Sequence, residues 1–190
     1  LIVAATLLAA LTAGLSLLNH SGGQAFAQMV ENVKAASSVR FAMVTRFGQC
    51  PAIKGVMYVQ GERLRCEQSV EGTVLVNIAD FDRKQGLLLD MQSEVAQQIE
   101  LEAAVVRAFR NPIAQLRRAR EEDAEQIGEE VLQGHRMRIY RLREMDLLGI
   151  KGRGEMLVWV ALDGLPARIA MRNGDPKAPM EILFEDFAWN

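Results

Sequence analysis

The residues able to do chemistry are few in this chain, and their spacing gives them little to work with. Two histidines occur, His20 and His135, one beside an apolar run and one at a hairpin turn. Neither position suggests catalysis, and each reads as a solvated loop residue. A G-x-S-x-G elbow, a phosphate loop, an H-E-x-x-H helix and paired C-x-x-C motifs are all missing from the sequence. The glycine-rich "GIKGRGEM" follows no strand–helix unit and has no Lys-Ser/Thr pair, so it does not read as a phosphate cradle. Cys50 and Cys66 lack zinc-site spacing. They fall near the ends of strands expected to be neighbours. In an oxidising compartment that placement allows a cross-strand disulfide, whereas in the alternative reading Cys66, in phase with Leu64, is a small buried hydrophobe. No catalytic residue, metal site or cofactor is expected, and the chain reads as a non-enzyme.

With a formal net charge of −2 there is no basic excess to grip a phosphate backbone, so nucleic acid is not an expected partner. At 190 residues the chain suits one domain after its apolar start is set aside. That start, "LIVAATLLAALTAGLSLL", carries no charge and is just long enough to cross about 30 Å of hydrocarbon as a helix. The chain begins at Leu, which leads us to expect residues upstream. The expected organisation is a transmembrane helix or signal anchor over 1–18, a short linker over 19–23 and a folded domain over 24–190.

Ala25-Phe26-Ala27 has the small-x-small form of a signal-peptidase site, so a cleaved leader is one reading. The other is a helix. Phe26, Met29, Val30 and Val33 fall at i, i+3, i+4 and i+7, with Gln28, Glu31, Asn32 and Lys34 on the opposite side. A cut after Ala27 would discard the largest apolar group of that stripe, which favours an uncut anchor. Either way the domain is expected in the periplasm, anchored to the inner membrane if uncut and secreted if cut.

After Ser37-Ser38 the period changes from 3.6 to 2. Val39, Phe41, Met43 and Phe47 alternate with Arg40, Ala42, Val44 and Arg46. "IKGVMYVQ", "ERLRCEQ", "TVLVNIAD", "LLLDM" and "EVAQQIEL" follow, separated by Gly- and Asp-bearing turns, as in an antiparallel meander. Asn111-Pro112 then reads as an N-cap with Pro in the first helical position. Arginines precede Glu121, Glu122, Asp123 and Glu125, an order opposed to the helix dipole, so a short helix is expected. Strands resume with a hairpin around Gln133-Gly134, then "EMLVWVAL", a two-residue turn at Asp163-Gly164, "LPARIAMR" and "APMEILFEDFAWN". Between them "MDLLGIKGRG" reads as a Gly-spaced loop whose Leu147, Leu148 and Ile150 should cover something. About six strands, a helical insertion and about four more strands would make a curved sheet plugged by the first helix.

The segments "AFAQMVENVKAASSVRFAM", "GVMYVQGERLRCE", "VNIADFDRKQGLLLD", "NPIAQLRRAREEDAEQIGEEVLQGHRMRIYRL", "LVWVALDGLPARIAM" and "MEILFEDFAWN" come in an order that resembles the LolA/LolB-like superfamily of lipoprotein-sorting proteins. The membrane-tethered relatives described as outer membrane lipoprotein-sorting proteins are more similar still. The resemblance spans nearly everything after residue 24. It implies an α+β fold, a half-open antiparallel β-barrel wrapped around helices, with an apolar cavity for lipid or lipoprotein acyl chains. It also places Ala25-Phe26-Ala27 inside the first helix. Regulatory proteins that sense envelope stress beside anti-sigma factors share that fold, so a sigma-factor regulatory sensor with a protein partner is the alternative. Met43, Met57 and Met171 fall on strand segments, where flexible thioethers suit an adaptable surface or simply an ordinary core. The candidate cavity or lid residues are Phe41, Met43, Met57, Leu116, Leu148, Trp159 and Met171.

Overall fold

The computed structural model describes residues 23–70, 72, 73–101, 112–147, 150–173, 175 and 177–190; the side chains of 144–153 lie outside what it describes. The expected transmembrane segment 1–18 and its linker up to residue 22 also fall outside. Among the described residues no helix is long and apolar enough to cross a membrane.

Residues 23–35 form the first helix, α1. Its apolar stripe is the one the spacing predicts: Phe26, Met29 and Val33 are fully buried and Val30 nearly so, while Gln28, Glu31 and Lys34 stay exposed. Strands β1 (Ser38–Phe47), β2 (Ile53–Gln60), β3 (Arg63–Val70), β4 (Thr73–Asp80), β5 (Gln85–Asp90) and β6 (Val95–Glu100) run on as hairpins. A five-residue helix, α2 (Pro112–Leu116), and a 3-10 turn (Glu121–Asp123) follow. The helix is as short as the charge order predicts. The acidic run enters β7 (Ala124–Leu132), which pairs with β8 (His135–Leu147), β9 (Ile150–Val160), β10 (Pro166–Asn173) and β11 (Met180–Trp189). Five strands therefore follow the insertion instead of four.

All eleven strands make one antiparallel sheet in the order β6-β5-β4-β3-β2-β1-β11-β10-β9-β8-β7. Neighbours in sequence are neighbours in space except β6 and β7, which stand at opposite edges, and at the centre the first strand pairs with the last. Asn190 N–H donates to the Ser38 carbonyl at 3.0 Å, and Ser37 N–H to the Asn190 carbonyl at 2.8 Å. Among the described residues the edge strands β6 and β7 do not pair, so the sheet is open, consistent with a half-open barrel.

Two turn expectations change. The Gly-spaced segment is mostly strand, with Leu147 of β8 opposite Ile150 of β9, because the hairpin extends nearly to its tip. The connection at Asp163-Gly164 is longer than two residues: β9 ends at Val160 and β10 starts at Pro166. Ala161 N–H donates to the Leu165 carbonyl and Gly164 N–H to the Ala161 carbonyl, both at 3.0 Å, which close a five-residue loop. The Gln133-Gly134 turn is as expected, with φ of 52° and 81°, the two left-handed residues that match a right-handed strand twist.

One face of the sheet, here the inner face, carries α1 and α2. Apolar residues of α1, α2, β1–β3 and β8–β11 fuse there into a single cluster. The Phe26 ring meets Tyr140 of β8 at 5.3 Å between centroids, and Phe41 meets Phe184 edge-on at 5.4 Å. Arg117, just after α2, donates to the carbonyls of Val33 at 3.3 Å and Ala36 at 3.1 Å. A cation at the C-terminal end of α1 meets both its unpaired carbonyls and the negative end of its dipole.

Register shifts occur in the β7–β8, β8–β9, β9–β10 and β1–β11 pairings, while among the described residues the pairings within β1–β6 run without one. The shift on β11 decides which way its end faces. Met43 lies opposite Phe184 but Val39 opposite Trp189, so one extra residue sits on β11, where Asp186 has φ 55°. Side chains alternate with period 2, so the extra residue turns Phe187 and Trp189 to the inner face already holding Ile182 and Phe184. Both do pack against the inner cluster, and Phe187 lies 5.0 Å from Phe41.

Replacing Phe26 by Ala should cost about 3–5 kcal/mol of unfolding free energy, the usual range for a buried ring in a core that cannot collapse around the gap. Gln28→Ala on the exposed side of the same helix should stay within about 0.5 kcal/mol. Urea titration of the two variants checks both.

Candidate functional site

The inner face changes character along β8. Leu142 and Tyr140 are buried in the cluster, and the next side chains of the same phase are Arg138 and Arg136. Beside them in register lie Val160 of β9, opposite Arg138, and Glu129 of β7, also opposite Arg138. The N-terminal part of α1 passes over this end. The 161–165 loop closes one side and is held there by α1: Asn32 Nδ2 donates to the carbonyls of Asp163 and Gly164, each at 3.2 Å. Gly164, at φ 75°, allows that approach, since a Cβ would stand 2.7 Å from Asn32 Nδ2.

These parts enclose a cavity of about 280 Å³ lined by Ala25 and Gln28 of α1, Glu129, Arg136, Arg138, Val160 and loop residues Ala161, Leu162 and Gly164. Its size falls just below the range of about 300–1,000 Å³ for ligand pockets. Leu162 at its rim is 88% exposed, and Val131, opposite Arg136, is 68% exposed. A second cavity of about 190 Å³ lies across the same loop and shares Ala161; Met137, Leu165 and Ala167 line it beside Arg168, Glu185 and Asp186.

The arginines of the larger cavity are unequal. Arg136 Nε donates to Glu129 Oε2 at 2.6 Å, so its charge is largely met. Arg138 forms no ion pair among the described residues. It neighbours the Tyr140 hydroxyl, whose pKa burial raises above 10.0 against the opposing hydrogen bond and charge of Arg138. No three His, Cys, Asp or Glu side chains among the described residues are placed to hold a metal ion.

Of the residues predicted to line a cavity, Phe41, Met43, Met57, Leu116 and Met171 come together in the inner cluster. They are packed beneath the helices, with Phe41 and Leu116 fully buried, and none lines either cavity described above. Trp159 does not join them. Its odd-numbered phase on β9 sends it to the outer face with Met137, Leu157 and Ala170. There its Nε1 donates to Glu130 at 2.7 Å and the Arg168 guanidinium lies 5.7 Å over its ring. Leu148 lies outside the described residues. The cavity residues Arg136, Arg138, Val160 and Leu162 were missed. A signal existed: in "HRMRIYRL" the arginines share the phase of Tyr140 and Leu142, so the face that carries the core also had to carry them.

The disulfide is corrected: Cys50 and Cys66 are both free, the first exposed and the second buried. Cys66 pairs in register with Met57, far along β2 from the turn holding Cys50. At about 3.3 Å per residue that is on the order of 20 Å, where a bridge needs Cα atoms about 5.5–6 Å apart. The buried-hydrophobe reading of Cys66 is the one that holds.

The described residues thus form an open antiparallel sheet with helices over one face and a partly apolar cavity at its end. No family profile matches the sequence, and no curated protein matches it. Among solved structures, the chain superposes on the Mycobacterium tuberculosis lipoprotein LppX with a TM-score of 0.58 and 16% identity, over 90% of this chain and 95% of that one. LprF from Mycobacterium bovis gives 0.55 at 11% identity, over 89% and 92%. An uncharacterized conserved protein from Thermus thermophilus gives 0.51 at 12% identity, over 88% and 86%. At such identities the likeness is one of fold. The open antiparallel sheet with helices over one face, which the sequence resemblance implied, is the fold of this chain, and it is shared with these solved structures.

Desolvation on burial pushes the Cys66 thiol from 9.0 up to about 11, partly offset by a hydrogen bond with Gln68. A thiol-specific reagent should therefore titrate only Cys50 in the native protein at pH 8, and both cysteines after denaturation without reductant. The folded state holds the Cys66 proton more tightly than the unfolded chain, so this group's contribution to stability falls as pH rises between about 9 and 11. Denaturant titrations across that window, compared with Cys66→Ala, check the sign.

Proposed function

We propose that this domain binds the acyl chain of a lipid or lipoprotein at the bacterial cell envelope, without catalysis, and serves in lipoprotein sorting or lipid handling. The carrying observation is the cavity at the open end of the inner face, where apolar Ala25, Val160, Ala161 and Leu162 lead from solvent toward the main cluster. The inner cluster contains Met29, Met43, Met57, Met156, Met171 and Met180. Thioethers rotate at low cost, so this interior can reshape around a chain longer than the resting cavity holds. Phe41, Met43, Met57, Leu116 and Met171 then act as the deeper walls exposed when α1 and α2 shift, and Leu148 as part of a lid. The fold likeness to a protein described as a lipoprotein agrees with a place at the envelope.

The same reading keeps the apolar N-terminal segment uncut, as an inner-membrane anchor with the domain in the periplasm. Phe26 is fully buried against Tyr140, so cleavage after Ala27 would remove a core side chain. The envelope-stress sensor reading needs a protein-docking surface, and no observation favours it over acyl-chain binding.

Native mass spectrometry of protein purified in mild detergent should show copurifying lipid, and a fluorescent fatty acid should bind the delipidated protein. Ala25→Trp, which fills the cavity from the helix side, should weaken that uptake by about tenfold or more, with secondary structure unchanged by circular dichroism. A clean apo mass together with no fatty-acid uptake would end the proposal.

A further inference from the structure

We infer that the cavity under the N-terminal part of α1 is a headgroup site for an amphiphile bearing a negative charge, a carboxylate or phosphate ester, with Arg138 as its main contact. This rests on the acyl-chain reading and adds the ligand's chemical class. Two arginines and one carboxylate line the cavity, and the carboxylate, Glu129, is already engaged by Arg136 at 2.6 Å. One positive charge is left over. It belongs to Arg138, which forms no ion pair among the described residues. A guanidinium offers five donors in a planar fork suited to an oxyanion, and the Tyr140 hydroxyl uses only part of that capacity.

The placement is amphiphilic as well as cationic. Val160 lies opposite Arg138 in the register, Tyr140 and Leu142 follow on the same face of β8, and the main apolar cluster begins there. An acid group on Arg138 would therefore have its chain directed along Val160 beneath Ala25. Leu162, which lines the cavity, is largely exposed, as is Val131 opposite Arg136 in the register. A free anion would gain nothing from those apolar walls, and a neutral amphiphile would leave Arg138 without an oxyanion.

The test compares dodecanoate with 1-dodecanol, which share a chain and differ in charge, by calorimetry on the full chain at low and high salt, with inorganic phosphate as a competitor. The acid should bind about tenfold or more tightly than the alcohol, a gain of the size expected for charge-assisted hydrogen bonds. The gap should narrow in salt, and phosphate should not displace the acid. Arg138→Gln should abolish the preference for the acid over the alcohol, with circular dichroism reporting that the variant is folded. Equal binding of acid and alcohol to the unaltered protein overturns the headgroup assignment while leaving acyl-chain binding intact. Displacement by phosphate alone overturns it in favour of a simple anion site. Failure of both amphiphiles to bind overturns both proposals.

Discussion

Seven of the eleven strands, β1–β3 and β8–β11, turn most of their buried apolar side chains to one face of the sheet, and the rest of the structure follows from covering that face. A sheet of this breadth cannot cover itself when its edges stay apart. Helix α1 supplies the largest single piece of cover, through Phe26, Met29, Val30 and Val33, and α2 adds Ile113 and Leu116. Burying each such side chain is worth about 1.5–3 kcal/mol. Because the two helices are short, neither would persist without the sheet beneath it. Arg117 joins them by placing its guanidinium on the last carbonyls of α1.

The second constraint is facing. Period-2 alternation lets each strand commit one face to the interior, and a single extra residue reverses the commitment from that point onward. The strand that ends the chain uses this. Without the extra residue at Asp186, Phe187 and Trp189 would face outward; with it they extend the cluster under β1, and the Trp189 indole donates to the Pro166 carbonyl at 3.1 Å. Register shifts gather in the half of the sheet that also holds both described cavities. There the ladder is interrupted, the outer face carries its own small apolar cluster around Trp159, and the 161–165 loop stands between the two hollows.

Seen from this end, the cavity is where the cover runs out. Helix α1 starts over the sheet beside the edge hairpin, so the last inner positions of β8 receive only partial shelter. They are filled by arginines, whose stems pack on apolar walls while their charged ends remain usable. A partly covered apolar face with cationic residues at its margin is a physical setting for an amphiphile, and it arises from the same geometry that builds the core.

The sequence by itself determined what depends on near neighbours: the stripe of α1, the succession of hairpins, the short second helix, the Gln133-Gly134 turn and the inner phase of Phe41, Met43 and Met57. Each follows from period, turn chemistry or charge order within about a dozen residues. Only the tertiary structure decided that β1 pairs with β11, that Asp186 shifts the register, that Trp159 belongs to the outer face, and that Cys66 stands too far from Cys50 to bridge. The predicted cavity residues shared a face, as alternation required, but whether that face is hollow or filled depends on where two helices lie across it. Alternation along one strand cannot encode how far a helix reaches over another, and that reach is what left Arg138 facing a hollow and Phe41 packed solid.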